Sequence, residues 1–157
     1  MEGSGVKHSV AEPGAVIAAA RAWLGTPYHD QASLCGVGCD CLGLARGVWR
    51  AVVGPEAAPV PPYSRDWGEI GPREVLAESA GRVMIRIDLA EAGPGAVVLF
   101  RMRDDAVVKH VGILTDGARF IHAYERLGVV EQPLTPAWRR RIAFAFLFPA
   151  SPAPREA

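Results

Sequence analysis

The sequence predicts an α+β domain in which N-terminal helices pack on a mostly antiparallel sheet of about five or six strands. Three observations carry that expectation. Apolar residues recur at three- and four-residue steps in the first third of the chain, strict alternation takes over from Arg82, and Gly, Pro and Asp punctuate the second half at strand-length intervals.

The first helix is read from Val16, Ile17, Ala20, Trp23 and Leu24, which share one face after Pro13, a residue tolerated in a first turn. Gly25 supplies its stop. Pro27, Asp30, Ser33, Gly36 and Gly38 then predict a structured loop running to Asp40. From Cys41 onward Leu44, Ala45, Val48, Trp49 and Val52 form a second apolar stripe, with Arg46 and Arg50 elsewhere and an end near Gly54. Asp40 suits the N-cap of this helix, because its carboxylate can accept hydrogen bonds from the first free backbone amides.

The four prolines between positions 55 and 62 predict an extended connection, and a short third helix is expected over Pro72 to Ser79. Val83, Ile85 and Ile87 alternate with Met84 and Arg86. Further strands are expected at Ala96–Phe100, Val107–Leu114, Arg119–Tyr124, Gly128–Glu131 and Ile142–Phe148. Turns fall at Gly93-Pro94-Gly95, Asp104-Asp105, Asp116-Gly117 and Pro133–Pro136. A single domain over residues 1–157 is expected, with 1–12 and 150–157 as loose termini.

With 17 basic and 17 acidic side chains the chain is neutral, which argues against a nucleic-acid or anionic-membrane partner. The run Arg139-Arg140-Arg141 reads as a solvated face or a partner contact. No apolar run reaches the roughly 18 residues of a membrane span, so no membrane insertion is expected. The first residues lack the pattern of a signal peptide, which predicts synthesis in the cytoplasm without export by the usual route.

Cys35, Cys39 and Cys41 are an odd set, so at least one thiol stays free. Cys41 stands at a helix start, where the backbone dipole favours a thiolate; the alternative is a buried structural cysteine. A cysteine nucleophile needs a base and a group that orients the base. Of the four histidines, His8 and His29 sit in the N-terminal stretch and the loop, whereas His110 and His122 fall within expected strands. Alternation puts His110 and Gly112 on one face, with Gly112 leaving space beside the imidazole. A turn at Asp116-Gly117 folds His122 back toward His110, where it could fix the His110 tautomer. A metal site of Cys35, Cys39 and Cys41 with His29 matches no common zinc spacing and would consume the nucleophile, so no metal or other cofactor is expected. A Cys35–Cys39 disulfide stays open.

Gly25-Thr26-Pro27-Tyr28, Asp40-Cys41-Leu42-Gly43-Leu44, His110-Val111-Gly112-Ile113 and Phe120-Ile121-His122-Ala123 resemble, in order and spacing, the NlpC family of papain-like cell-wall peptidases. The resemblance spans about Pro13 to Pro149. It implies hydrolysis of peptidoglycan stem-peptide amides, typically between D-glutamate and meso-diaminopimelate, with Cys41 as nucleophile, His110 as base and His122 as the orienting residue. Tyr28 and Asp40 would stand on the substrate or oxyanion side. Gly38–Leu44, the Pro-rich segment with Tyr63 and Trp67, and Trp138–Ile142 resemble the phage-tail and gene-transfer-particle branch. That branch implies carriage on a tail and contact with a hub or baseplate protein, the Arg139–Arg141 run with Trp138 or the terminal tail being the expected docking surface. Leu42 replaces a common family Ser, Asp30-Gln31-Ala32 replace Trp-Gly-Gly, and Ala96 replaces Asp, which bears on substrate preference. Two other readings remain: a tail adaptor with weak or lost catalysis, and an amidase or acyltransferase acting on another amide or lipid.

Overall fold

A computed structural model describes residues 9–56 and 73–151 of the 157-residue chain. Helix α1 spans Pro13–Arg21 with Pro13 in the first turn, and buries Val16, Ile17 and Ala20. A small hairpin follows, β1 (Ser33–Leu34) with β2 (Gly38–Cys39), inside what the sequence reads as loop. Two-residue strands are too short for alternation to show. Helix α2, Cys41–Val52, starts at the expected residue and is capped by Asp40.

Helix α2 fits closely against its neighbours because two of its residues have no side chain. A Cβ on Gly47 would stand 2.0 Å from the Trp23 ring, and one on Gly43 would stand 1.9 Å from the Ala32 carbonyl oxygen. Those approaches seat α2 against both the turn that follows α1 and the loop that leads into α2. Helix α3 covers Val75–Val83, running past the expected end at Ser79 and taking in Val83, which the alternation assigned to a strand. Pro72 and the Pro-rich segment beyond Glu56, with Tyr63 and Trp67, lie outside the described residues.

Strands β3 (Ile85–Ile87), β4 (Val97–Phe100), β5 (His110–Leu114), β6 (Arg119–Tyr124), β7 (Gly128–Pro133) and β8 (Ile142–Leu147) form one antiparallel sheet in the order β3-β8-β4-β5-β6-β7. A 3-10 turn at Leu89–Glu91 and a four-residue helix α4, Pro136–Arg139, lie between strands. One sheet face, with Val97, Leu99, Val111, Ile113, Ile121 and Phe146, joins Val16, Trp23, Leu44 and Val48 of the helical layer in the main core. Ala96, Val98, Phe100, Leu114 and Phe120 build a second cluster, against which Trp138 packs.

Two expectations need correction. Val107–Lys109 does not extend β5, because the Val108 amide donates to Glu74 Oε1 at 2.8 Å and Arg101 Nη1 to Glu74 Oε2 at 2.8 Å, tying this approach to the start of α3. The space beside Gly112 is filled: a Cβ there would lie 2.8 Å from the Phe100 ring and 3.1 Å from Phe120. Within the described residues, Val10 bridges Pro149, the Ala11 amide donates to Phe148 O and the Ala150 amide to Ser9 O.

Candidate active site

The sulfur of Cys41 is placed by the first turn of α2. Asp40 is 3% exposed, and its Oδ1 accepts the Gly43 amide at 2.7 Å while its Oδ2 accepts the Gln31 amide at 2.7 Å. One carboxylate therefore holds both the helix start and the preceding loop, where Gln31 takes a left-handed φ of 64°. The Asp40 side chain is absent from the cleft wall, which is lined by Tyr28, Cys41, Met102, Lys109, His110, Ala123, Tyr124 and Glu125 around about 380 Å³.

Tyr28 reaches that wall through the loop backbone. It bridges Cys39 in parallel, with the Cys39 amide donating to Pro27 O and the His29 amide to Cys39 O, both at 3.0 Å. Register with the residue two before the nucleophile thus fixes its position. Burial first, then the negative charge that Cys41, Asp40 and Asp30 can carry, raises the Tyr28 phenol above its ordinary range, so it stays a hydrogen-bond donor at neutral pH.

Cys41 Sγ rests against the beginning of β5. Its thiol donates to Lys109 O at 3.8 Å, and the Val111 amide also points at the sulfur. Burial and the nearby Asp40 carboxylate push the thiol up to about 12, against the pull of the Val111, Leu42 and Cys41 amides. The helix-start amides pull the thiol down as the sequence reading expects, and burial works against them.

His110 and His122 meet as the hairpin argument anticipates. Strands β5 and β6 pair Ile113 with Ile121 and Leu114 with Phe120. His110 Nε2 lies 2.7 Å from His122 Nδ1. Burial, with the charge of His122 second, lowers His110 to about 3, and burial also lowers His122. Burial thus favours the neutral form of the thiol and of both imidazoles.

Two neighbours escaped the sequence reading. Gln132 Oε1 sits 2.6 Å from His122 Nε2, on the part of β7 beyond the expected end at Glu131. Alternation from Val130 would have put it in phase with the site. Trp138, read as a docking residue, instead turns inward, with ring centroids 5.1 Å from Phe100, 5.2 Å from His122 and 5.9 Å from His110. Thr135 caps the short helix that carries it, accepting the Trp138 amide at 3.3 Å. The three adjacent arginines remain exposed, Arg141 donating to Met102 O at 2.6 Å.

The other cysteines are free thiols: Cys35 is exposed and donates to Ala22 O at 3.3 Å, and Cys39 is buried, its thiol raised to about 12 chiefly by desolvation. No Cys35–Cys39 disulfide is formed. Among the described residues no group of three or more His, Cys, Asp or Glu side chains is arranged to hold a metal ion.

A model of the NlpC/P60 family matches residues 25–145, from the glycine after α1 into β8, which takes in all of these site residues. The chain belongs to the NlpC/P60 family. Its NlpC/P60 domain is similar to that of the peptidoglycan hydrolase SagA, at 26% identity and a TM-score of 0.59, covering 86% of this chain and 97% of that one. A NlpC/P60 family protein from Bacillus cereus shares the fold at 21% identity and a TM-score of 0.61, with 88% of this chain and 41% of that chain covered. The peptidoglycan hydrolase RipB from Mycobacterium tuberculosis shares it at 19% identity and a TM-score of 0.52, with 85% and 63% covered. This NlpC/P60 chain therefore spans less than half of the Bacillus cereus protein. No curated protein matches it.

Proposed function

We propose that this NlpC/P60 domain is a cysteine endopeptidase that hydrolyses amide bonds of the peptidoglycan stem peptide, the D-glutamyl to meso-diaminopimelate bond being the expected target. The observation that carries the proposal is the shared cleft of Cys41 and His110, with His110 held from behind by His122 at 2.7 Å. That is a nucleophile, a base and an orienting group in the order cysteine hydrolysis requires. The family model and the similarity to SagA over nearly the whole length of its domain support the substrate class.

Burial raises the Cys41 thiol and lowers the His110 imidazole, so in this proposal transfer from Sγ to His110 accompanies attack on the scissile carbonyl. The new C–S bond leaves an oxyanion, for which the proposal takes the Cys41 backbone amide and the hydroxyl of the cleft-lining Tyr28 as donors. One such donor is typically worth about 3 kcal/mol of barrier. His110 next passes its proton to the leaving amine as the C–N bond breaks, giving a thioester. Water then gives a proton to His110 while attacking the thioester, and the departing Cys41 sulfur takes that proton back.

Incubating purified peptidoglycan with the wild type and with Cys41→Ala, followed by mass spectrometry of the fragments, tests this reading. New D-glutamyl carboxyl ends made only by the wild type are expected. Equal cleavage by Cys41→Ala would remove the nucleophile, and new ends at another amide would redirect the specificity.

For delivery, the proposal takes carriage on a phage-like tail, with contact to a hub or baseplate protein and action at the target wall. The likeness of Gly38–Leu44 and Trp138–Ile142 to the tail branch supports it, and the exposed Arg139–Arg141 run offers the docking face. Purified tail particles from the producing cell should contain the chain; particles complete without it would refute this route.

A further inference from the structure

The strand β7 residue Gln132 ends a hydrogen-bonded line that starts at the cleft: His110 Nε2 to His122 Nδ1 at 2.7 Å, and His122 Nε2 to Gln132 Oε1 at 2.6 Å. We propose that Gln132 is the positioning residue that sets the tautomers of both histidines and so leaves the cleft-side nitrogen of His110 bare to take the thiol proton. The inference rests on the cysteine-hydrolase reading above and extends it by one residue.

The logic follows from donor and acceptor count. An amide oxygen only accepts, so the His122 nitrogen facing Gln132 carries its hydrogen. A neutral imidazole has one N–H, which leaves His122 Nδ1 bare and able only to accept. His110 Nε2 must therefore carry a hydrogen and donate it, and His110 Nδ1 is left with its lone pair. Turning the Gln132 amide to present its NH₂ group would reverse every step, ending with a hydrogen on His110 Nδ1 and no base for Cys41. The amide of one residue, two side chains away from the sulfur, thus decides whether the base exists.

The surroundings make that decision strict. His122 is 0% exposed and His110 8%, so water does not readily replace a lost partner. Trp138, Phe120 and Tyr124 pack around His122 with ring centroids 5.2, 4.4 and 5.1 Å away, which holds the ring against rotation but does not choose between its two N–H forms. Packing orients the ring and Gln132 selects the proton. The register supports the same division of work: His122 pairs with Val130, and Gln132 with Phe120, so Gln132 lies diagonal to His122 on the same face of the sheet.

The test uses selectively ¹⁵N-histidine-labelled protein and reads the ring nitrogens of His110 and His122 by NMR at neutral pH, in the wild type, Gln132→Leu and Gln132→Glu. The wild type should show both rings as single Nε2–H tautomers. Gln132→Leu should mix the tautomers and lower kcat about 10- to 100-fold, the cost typical of losing a partner one step behind a reacting group. KM should change little, since Gln132 touches no substrate. Gln132→Glu keeps an acceptor and should restore the single tautomer. A wild-type His122 carrying its hydrogen on Nδ1 would overturn the proposal, as would unchanged tautomers in a folded Gln132→Leu protein. Because the spectra need no turnover, they stand or fall separately from the hydrolase assay.

Discussion

Replacing Asp40 by asparagine separates two effects of one buried carboxylate. In the wild type, Oδ1 and Oδ2 each accept a backbone amide at 2.7 Å, from Gly43 and Gln31. In Asp40→Asn the new side chain would keep an oxygen for the helix cap, a role asparagine fills well, and would turn its NH₂ toward the Gln31 N–H, donor against donor. The stranded amide costs about 1–3 kcal/mol. Relaxation of Gln31 from its left-handed φ could return part of this, since that conformation itself costs roughly 1–2 kcal/mol. A net loss of about 1–2 kcal/mol is expected, measured as a lower urea midpoint at unchanged slope. Chemistry should move the other way. Asp40 is the largest charge holding the Cys41 thiol up, so its removal should lower the thiol pKa and speed alkylation by iodoacetamide at neutral pH. A variant as stable as the wild type would refute the shared-carboxylate account. Slower alkylation of a folded variant would refute the electrostatic one.

The histidine pair should make the protein sensitive to acid. Both imidazoles titrate lower in the folded chain than in the unfolded one, so the unfolded state binds more protons between about pH 6.5 and 3, and stability should fall as pH drops through that window. Chemical denaturation across that range checks it, and a His110→Phe variant should lose part of the slope. Gly47→Ala places a methyl group 2.0 Å from the Trp23 ring and should cost about 1–3 kcal/mol by overpacking, with Cys41 alkylation unchanged in the protein that remains folded.

Where sequence and structure agree, the signals are local and long enough to read. The stripe from Leu44 to Val52 and the cap at Asp40 place the start of α2, and hence Cys41, to the residue. The turn at Asp116-Gly117 between two alternating runs brings His122 to His110. Both follow from periodicity and turn chemistry, which neighbouring residues carry among themselves. The agreement weakens where an element's end depends on a distant partner. Val107–Lys109 alternates like a strand, yet Glu74, more than thirty positions earlier, claims the Val108 amide.

The sequence by itself determined the order of the three longer helices and the six strands of the main sheet, the thiol at a helix start and the two histidines on one hairpin, because each rests on contacts within a few residues or across one turn. Only the tertiary structure decided the protonation of the site, the inward turn of Trp138 and the place of Gln132. Those depend on burial and on hydrogen bonds between elements far apart in the chain, and a thiol or an imidazole takes its charge from everything packed around it.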